Sequence, residues 1–142
     1  MRQLIEPAML IMRTTQRQKK VKNAGVLLIY WKMKKMSEHD IQKAITNYLD
    51  LKNICYFAVP NGGHRHMLVA KKLKAEGVKA GVPDLAIVHN GKYYGIEVKT
   101  PKGRLSENQK LMITLLENNG ASVGIVRGIS DTAELLNEWG IR

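Results

Sequence analysis

Asp84, Glu97 and Lys99 are the residues whose types and spacing could do chemistry. Asp84 follows Pro83 and opens the apolar run Leu85-Ala86-Ile87-Val88, while Glu97 and Lys99 alternate with Ile96 and Val98 along a second run. Asn90-Gly91 joins the two runs, a pair suited to a two-residue hairpin turn. Such a hairpin can bring two carboxylates and one ammonium to one edge of a sheet. Glu97 and Lys99 are two apart, so a strand points them to the same face. The set suits a divalent cation, a phosphate and an attacking water, the parts of phosphodiester hydrolysis. Mg²⁺ or Mn²⁺ would be held by Asp84 and Glu97, with the backbone carbonyl of Val98 as a further ligand. Lys99 would orient the water or meet a phosphate oxygen. The competing reading is a surface ion pair, because an acid followed by Glu-x-Lys recurs by chance and Gly95, Glu97 and Lys99 all lie on the non-apolar side of the run.

The elements that must position these groups follow from periodicity and punctuation. Ser37 with Asp40 three residues on forms a capping box, which predicts a helix from there to about residue 51 with Ile41, Ile45, Tyr48 and Leu49 as its apolar stripe. Glu38 stands three residues before Ile41 and extends that stripe, an acid on an inward line that fraying of the first turn would also explain. Residues 54–59 read as a buried strand, stopped by Pro60-Asn61-Gly62-Gly63. A second helix is expected over 66–76, with Gly77 as its stop. Its lysines Lys71, Lys72 and Lys74 read as a solvated face. Strands follow over 84–88 and 93–98. Ser106 and Gln109 make a second capping box that opens a helix over 106–119, closed by Gly120. A last strand over 122–127 and a helix over 131–139 complete the order α-β-α-β-β-α-β-α. Leu135, Leu136 and Trp139 on the last helix either cover the core or serve a dimer face.

Composition bounds the function. The 142 residues are 44% apolar and 25% charged, an ordinary balance for one domain with its own core. The net charge of +11 is unevenly spread. Residues 1–36 hold nine Lys/Arg and one acid, a net of +8, and residues 37–142 hold the remaining 14 Lys/Arg and 11 acids, a net of +3. A boundary therefore falls near Met36–Ser37. The first 36 residues lack sustained periodicity and read as a basic extension, either disordered or preceding a natural start at Met36, or as an arm for DNA phosphates. No stretch approaches the roughly 18 apolar residues of a membrane span, and the short run 25–31 has lysines rather than a cleavage site after it, which argues against secretion. The single cysteine, Cys55, rules out an internal disulfide, points to a reducing compartment and reads as a small core residue.

His64 and His66 lack the companion cysteines or histidines of a zinc site and read as loop residues or phosphate contacts. Lys102 and Arg104 follow Lys99 closely in a Gly- and Pro-containing loop, which makes them phosphate contacts or a solvated turn.

Several of these stretches, in this order, resemble the VRR-NUC domain of the PD-(D/E)xK nuclease superfamily, in its small stand-alone phage and prophage form. They are Glu38 with Ile41-Gln42, the loop Pro60–Gly63 with Arg65, Leu73–Gly77, Gly81-Val82-Pro83-Asp84-Leu85, the run Glu97–Ser106, and Gln109. They cover residues 37–130, and the basic extension lies outside them. The resemblance implies an α/β restriction-endonuclease-like fold, a mixed central sheet flanked by helices. It implies metal ligation by Glu38, Asp84 and Glu97, catalysis by Lys99 with help from Gln109, and a substrate-contact or supporting role for Asn61, Gly62, Gly63 and Arg65. It also implies a homodimer in the cytoplasm of a bacterial or phage-infected cell, acting on branched DNA such as Holliday junctions or flaps. Nothing in the sequence marks an accessory DNA-reading domain, which favours recognition of DNA shape over sequence. The rival readings are a sequence-specific restriction-type endonuclease and a binding module without catalysis.

Overall fold

The computed structural model describes residues 36–60 and 67–142. The basic segment before Met36 and the loop that carries Asn61, Gly62, Gly63, His64, Arg65 and His66 lie outside the described residues. Eight elements follow one another: α1 Glu38–Leu51, β1 Tyr56–Ala58, α2 Met67–Ala75, β2 Leu85–His89, β3 Lys92–Val98, α3 Glu107–Asn118, β4 Ser122–Val126 and α4 Ile129–Glu138.

Local chemistry sets the ends of these elements. Ser37 caps α1 and Ser106 caps α3, each in a complete capping box with Asp40 or Gln109 at the third helical position. Asn90 and Gly91 both take positive φ, 49° and 74°, as a two-residue hairpin requires, and β2 pairs with β3 from His89↔Lys92 to Leu85↔Ile96. The sheet order is β1-β2-β3-β4, antiparallel except for β3 against β4, which are parallel and joined through α3. The sheet is therefore mixed, as expected.

Alternation along the strands separates two faces. One face presents Leu85, Ile87, Tyr94, Ile96, Val98 and Val126, which close a core with Ile41, Ile45 and Leu49 of α1 and Leu136 of α4. Trp139 settles its ring against Tyr94 at 4.9 Å between centroids, so α4 covers the core. Glu97, on an alternate position of β3, and Lys99, the first residue past its end, face the other side, where α3 lies against β4.

Three expectations are corrected. The segment 54–59 is not a strand buried on both faces, and Cys55 is exposed rather than a core residue. β1 is short and lies at the sheet edge. Ile54 and Tyr56 turn partly into the core while Phe57, on the alternate side, is 53% exposed. A continuous apolar run thus concealed a one-sided strand. The last helix begins at Ile129 rather than 131, because the Asp131 carboxylate accepts the Arg127 N–H and lets the chain turn into the helix earlier.

Candidate active site

The hairpin places Asp84 immediately before β2 and opposite the end of β3. There its Oδ2 accepts the Val98 N–H at 2.9 Å, so the carboxylate substitutes for a ladder partner. The N–H and carbonyl of one strand residue point to the same edge, so the Val98 carbonyl lies on the Asp84 side, as a ligand at that position must. Lys99, the next residue, donates its N–H the other way, to the Val126 carbonyl of β4.

Glu97 is 1% exposed and Lys99 6%, which removes the solvated-edge alternative. Pro83 closes over this face, because a Cβ on Gly95 would come within 2.8 Å of the proline ring. The Lys99 ammonium donates to Glu97 Oε1 at 2.7 Å and lies 3.6 Å from Glu38 Oε1. Glu38, its side chain 48% exposed, stands at the rim of the site. Its place on the inward line of α1 is thereby explained as an electrostatic partner of the buried lysine.

Gln109 does two things at once. Its Oε1 accepts the Ser106 N–H at 2.9 Å, completing the helix cap, while its Nε2 donates to Glu97 Oε1. Capping and site contact are therefore one arrangement, because the amide has an acceptor at one end and a donor at the other. Gly81 seats this helix end. It has φ +81°, and a Cβ there would run into the Asn108 carbonyl and come 2.8 Å from the Gln109 nitrogen. Sequence pattern does not reveal this second duty of the Gly81-Val82-Pro83-Asp84 motif, since the partner helix is remote along the chain.

The electrostatics are those of a crowded anionic site. Burial pushes the Glu97 carboxyl above its ordinary pKa, Lys99 pulls it back, and the charges of Asp84 and Glu38 add to the rise. Burial also raises Asp84, against the pull of the Val98 N–H and Lys99. For Lys99, burial works against the charge, but the hydrogen bond to Glu97 and the fields of Glu97, Glu38 and Asp84 outweigh it, and its pKa is raised. Lys99 is therefore an ammonium at neutral pH and not a base.

The donor set fits a hard divalent cation. Glu97 Oε2 is buried and has no hydrogen-bond partner, an arrangement that costs free energy unless a cation or donor meets it. Two carboxylates whose protonation is favoured by crowding gain most from a positive charge between them. Among the described residues no three His, Cys, Asp or Glu side chains converge as a ready-made metal cage. Glu38, Asp84 and Glu97, expected together as ligands, are thus not brought into one three-carboxylate group; Glu38 lies against Lys99 instead. Lys102 and Arg104 stand exposed on the turn that follows β3. Among the described residues no helix is long and apolar enough to cross a membrane.

The model of the VRR-NUC domain family matches residues 11–129. That match begins inside the basic segment set apart by composition, and so reaches further toward the N-terminus than the motifs alone. A solved structure described as a "VRR_NUC domain protein" is similar with a TM-score of 0.61 at 23% identity, over 73% of this chain and 88% of that one. At this identity the likeness speaks for the fold. No curated protein matches the chain.

Proposed function

The chain belongs to the VRR-NUC domain family of nucleases, and on that premise we propose that it is a metal-dependent endonuclease that hydrolyses DNA phosphodiester bonds at branched structures. The observation that carries the reading is the buried Glu97 carboxylate. One oxygen is fixed by Lys99 and Gln109, and the other is buried without a partner in the field of Asp84. A structural ion pair would satisfy both oxygens. A site built to take a cation leaves one open.

Asp84, Glu97 and the Val98 carbonyl would hold Mg²⁺ or Mn²⁺, with Glu38 adding negative charge at the rim. When bound, the ion supplies a water acidified toward neutral pH and neutralises charge on the phosphate. The chain's own residues do the rest. Lys99, held charged against Glu97, offers an ammonium to the water or to a non-bridging phosphate oxygen as negative charge builds there. Gln109 keeps the Glu97 carboxylate from rotating. Water gives up a proton to solvent as its oxygen bonds to phosphorus, one P–O ester bond breaks, and the departing oxygen takes up a proton from solvent.

The preference for branched DNA rests on what the exposed cations address. Lys71, Lys72 and Lys74 on α2, with Lys102 and Arg104 after β3, offer charge suited to phosphates rather than a hydrogen-bonding code for base edges. Asn61, Gly63 and Arg65 are proposed to contact the same strand. Cytoplasmic placement and a two-fold homodimer complete the proposal, since two centres related by a dyad would make paired cuts in a junction.

The test is cleavage of labelled four-way junction, flap and linear duplex with Mg²⁺, Mn²⁺ or EDTA, for wild type and Glu97→Ala. Metal-dependent cutting of branched substrates, lost in the variant, is expected. Cutting of linear duplex at one sequence would favour a restriction-type enzyme. Metal-independent binding without cutting would favour a binding module.

A further inference from the structure

Arg127 stands just past the end of β4, and its guanidinium reaches back across the sheet end to the turn that follows β3. Its Nη2 donates to the Gly103 carbonyl at 3.0 Å. That turn is closed by its own bond, from the Gly103 N–H to the Thr100 carbonyl at 2.9 Å, with Pro101 and Lys102 as its middle residues. It is folded down on the lysine before it. A Cβ on Gly103 would come 3.2 Å from Lys99 Cδ and 3.0 Å from Thr100 Oγ1. The aliphatic stem of Lys99 therefore has its ammonium tied to Glu97 at one end and the Gly103 backbone lying on its middle.

We propose that Arg127 is a positioning residue for this site: by holding the Gly103 carbonyl, it keeps the 100–103 turn closed on the Lys99 stem and so fixes where the Lys99 ammonium and the flanking Lys102 and Arg104 charges stand. The inference rests on the nuclease reading for its catalytic consequence, and on geometry alone for the clasp. A turn held only by its internal bond opens at little cost, since both its middle residues are exposed. The bond from Arg127 links it to the end of β4, which is paired to the strand that carries Glu97 and whose Val126 carbonyl accepts the Lys99 N–H. Arginine suits the task because its planar fork loses less freedom per hydrogen bond than a lysine. Its backbone N–H is engaged separately, by Asp131 Oδ2 at 2.8 Å, so a side-chain substitution leaves the start of α4 in place.

Two readouts on the full chain decide the matter, with Arg127→Gln and Arg127→Lys against wild type. The first is limited trypsin digestion of the folded, metal-free protein, followed by mass. Cleavage after Lys102 and Arg104 should rise several-fold in Arg127→Gln, less in Arg127→Lys, while cleavage elsewhere and Tm stay at wild-type values. The second is steady-state cleavage of the best DNA substrate with Mg²⁺. There kcat should fall about tenfold or more in Arg127→Gln, with partial recovery in Arg127→Lys. An unchanged tryptic pattern, or unchanged kcat, overturns the proposal. So does a general rise in cleavage at every site with a lowered Tm, which would mark a merely structural role. Should wild type cut no DNA, the nuclease reading falls and the catalytic part of the inference with it. The tryptic comparison then still decides, by itself, whether Arg127 clasps the turn.

Discussion

The Gln109 side-chain amide donates to Glu97 Oε1, the same oxygen that the Lys99 ammonium holds at 2.7 Å. Two donors on one carboxylate oxygen pin the group and leave its other oxygen buried and without a partner. The geometry makes Gln109 part of the site through the same side chain that caps α3.

The two duties of Gln109 can be separated. In Gln109→Glu the new carboxylate still accepts the Ser106 N–H, but it cannot donate to Glu97. We expect kcat lowered by about 10–100-fold, and a Tm lowered at neutral pH by repulsion between the new carboxylate and Glu97, the loss fading at acid pH as a carboxyl takes up a proton. Gln109→Ala should lose the same activity and in addition about 0.5–1 kcal/mol of stability with the capping box. Thermal melts beside cleavage assays check both. A Gln109→Ala melt equal to wild type, or a Gln109→Glu melt that loses nothing at neutral pH, would sink the dual role.

Glu97 should trade stability for function. Its raised pKa means that the folded, metal-free protein disfavours the ionised carboxyl relative to the unfolded chain. The sign follows from linkage: a destabilisation is present above the raised folded pKa and relieved as pH falls toward the ordinary glutamate value. Asp84 acts in the same direction. Glu97→Gln should therefore remove cleavage, and in EDTA its Tm relative to wild type should improve as pH rises from acid to neutral, set against the charged partner that the buried Lys99 loses. Asp40 opposes this at lower pH. The Ser37 side-chain and backbone hydrogen bonds depress its pKa, so its contribution is present above the ordinary aspartate value and lost as pH falls through the depressed one. Melting curves from neutral pH downward, wild type against Glu97→Gln, provide the check; a Tm difference that does not change with pH would refute the linkage.

Lys99 is expected to support the site in two ways that one substitution exposes together. Lys99→Met keeps the stem but removes the only ammonium within 3 Å of Glu97 among the described residues. Cleavage should fall by about 10²–10³-fold or more. The stability that Lys99 contributes is fully present below the ordinary lysine pKa and fades only as pH rises through its raised folded value. The wild-type advantage in Tm should thus persist through neutral pH and close only in strong alkali.

Gly81 and Gly91 form a controlled pair. Both have positive φ, +81° and +74°, but only Gly81 has neighbours within 4 Å of a prospective Cβ. Gly91→Ala should cost about 1 kcal/mol from the left-handed backbone alone. Gly81→Ala must also displace the first turn of α3, so about 2 kcal/mol or more is expected, with cleavage lost beyond what Tm explains. Equal cost and equal activity in the two variants would show that Gly81 does not seat Gln109.

The exposed Cys55 gives an inexpensive check on the fold. The native chain should react with a thiol reagent such as DTNB at nearly the rate of the unfolded chain. A thiol that reacts only after denaturation would restore the reading of Cys55 as a core residue.

Much of this protein is legible locally. The two capping boxes, the Asn90-Gly91 hairpin and the alternation in β3 are short-range arrangements. Residues within a few positions of one another satisfy each other's backbone groups or share a strand face, so type and spacing suffice to predict them. The same alternation placed Glu97 with Lys99 and away from Ile96 and Val98. It did not say whether that face was wet. The run 54–59 shows the converse failure: apolar composition does not tell which alternate residues a sheet edge will cover, and Cys55 and Phe57 were left outside. Only the tertiary structure decided the burial of Glu97, the meeting of Glu38 with Lys99, the double use of Gln109, the seat of α3 on Gly81 and the clasp from Arg127. Each of these joins residues from separate elements. Such contacts depend on the angle and register at which helices and strands settle on a common core, and that is a property of the whole chain's packing, which no short stretch of sequence encodes.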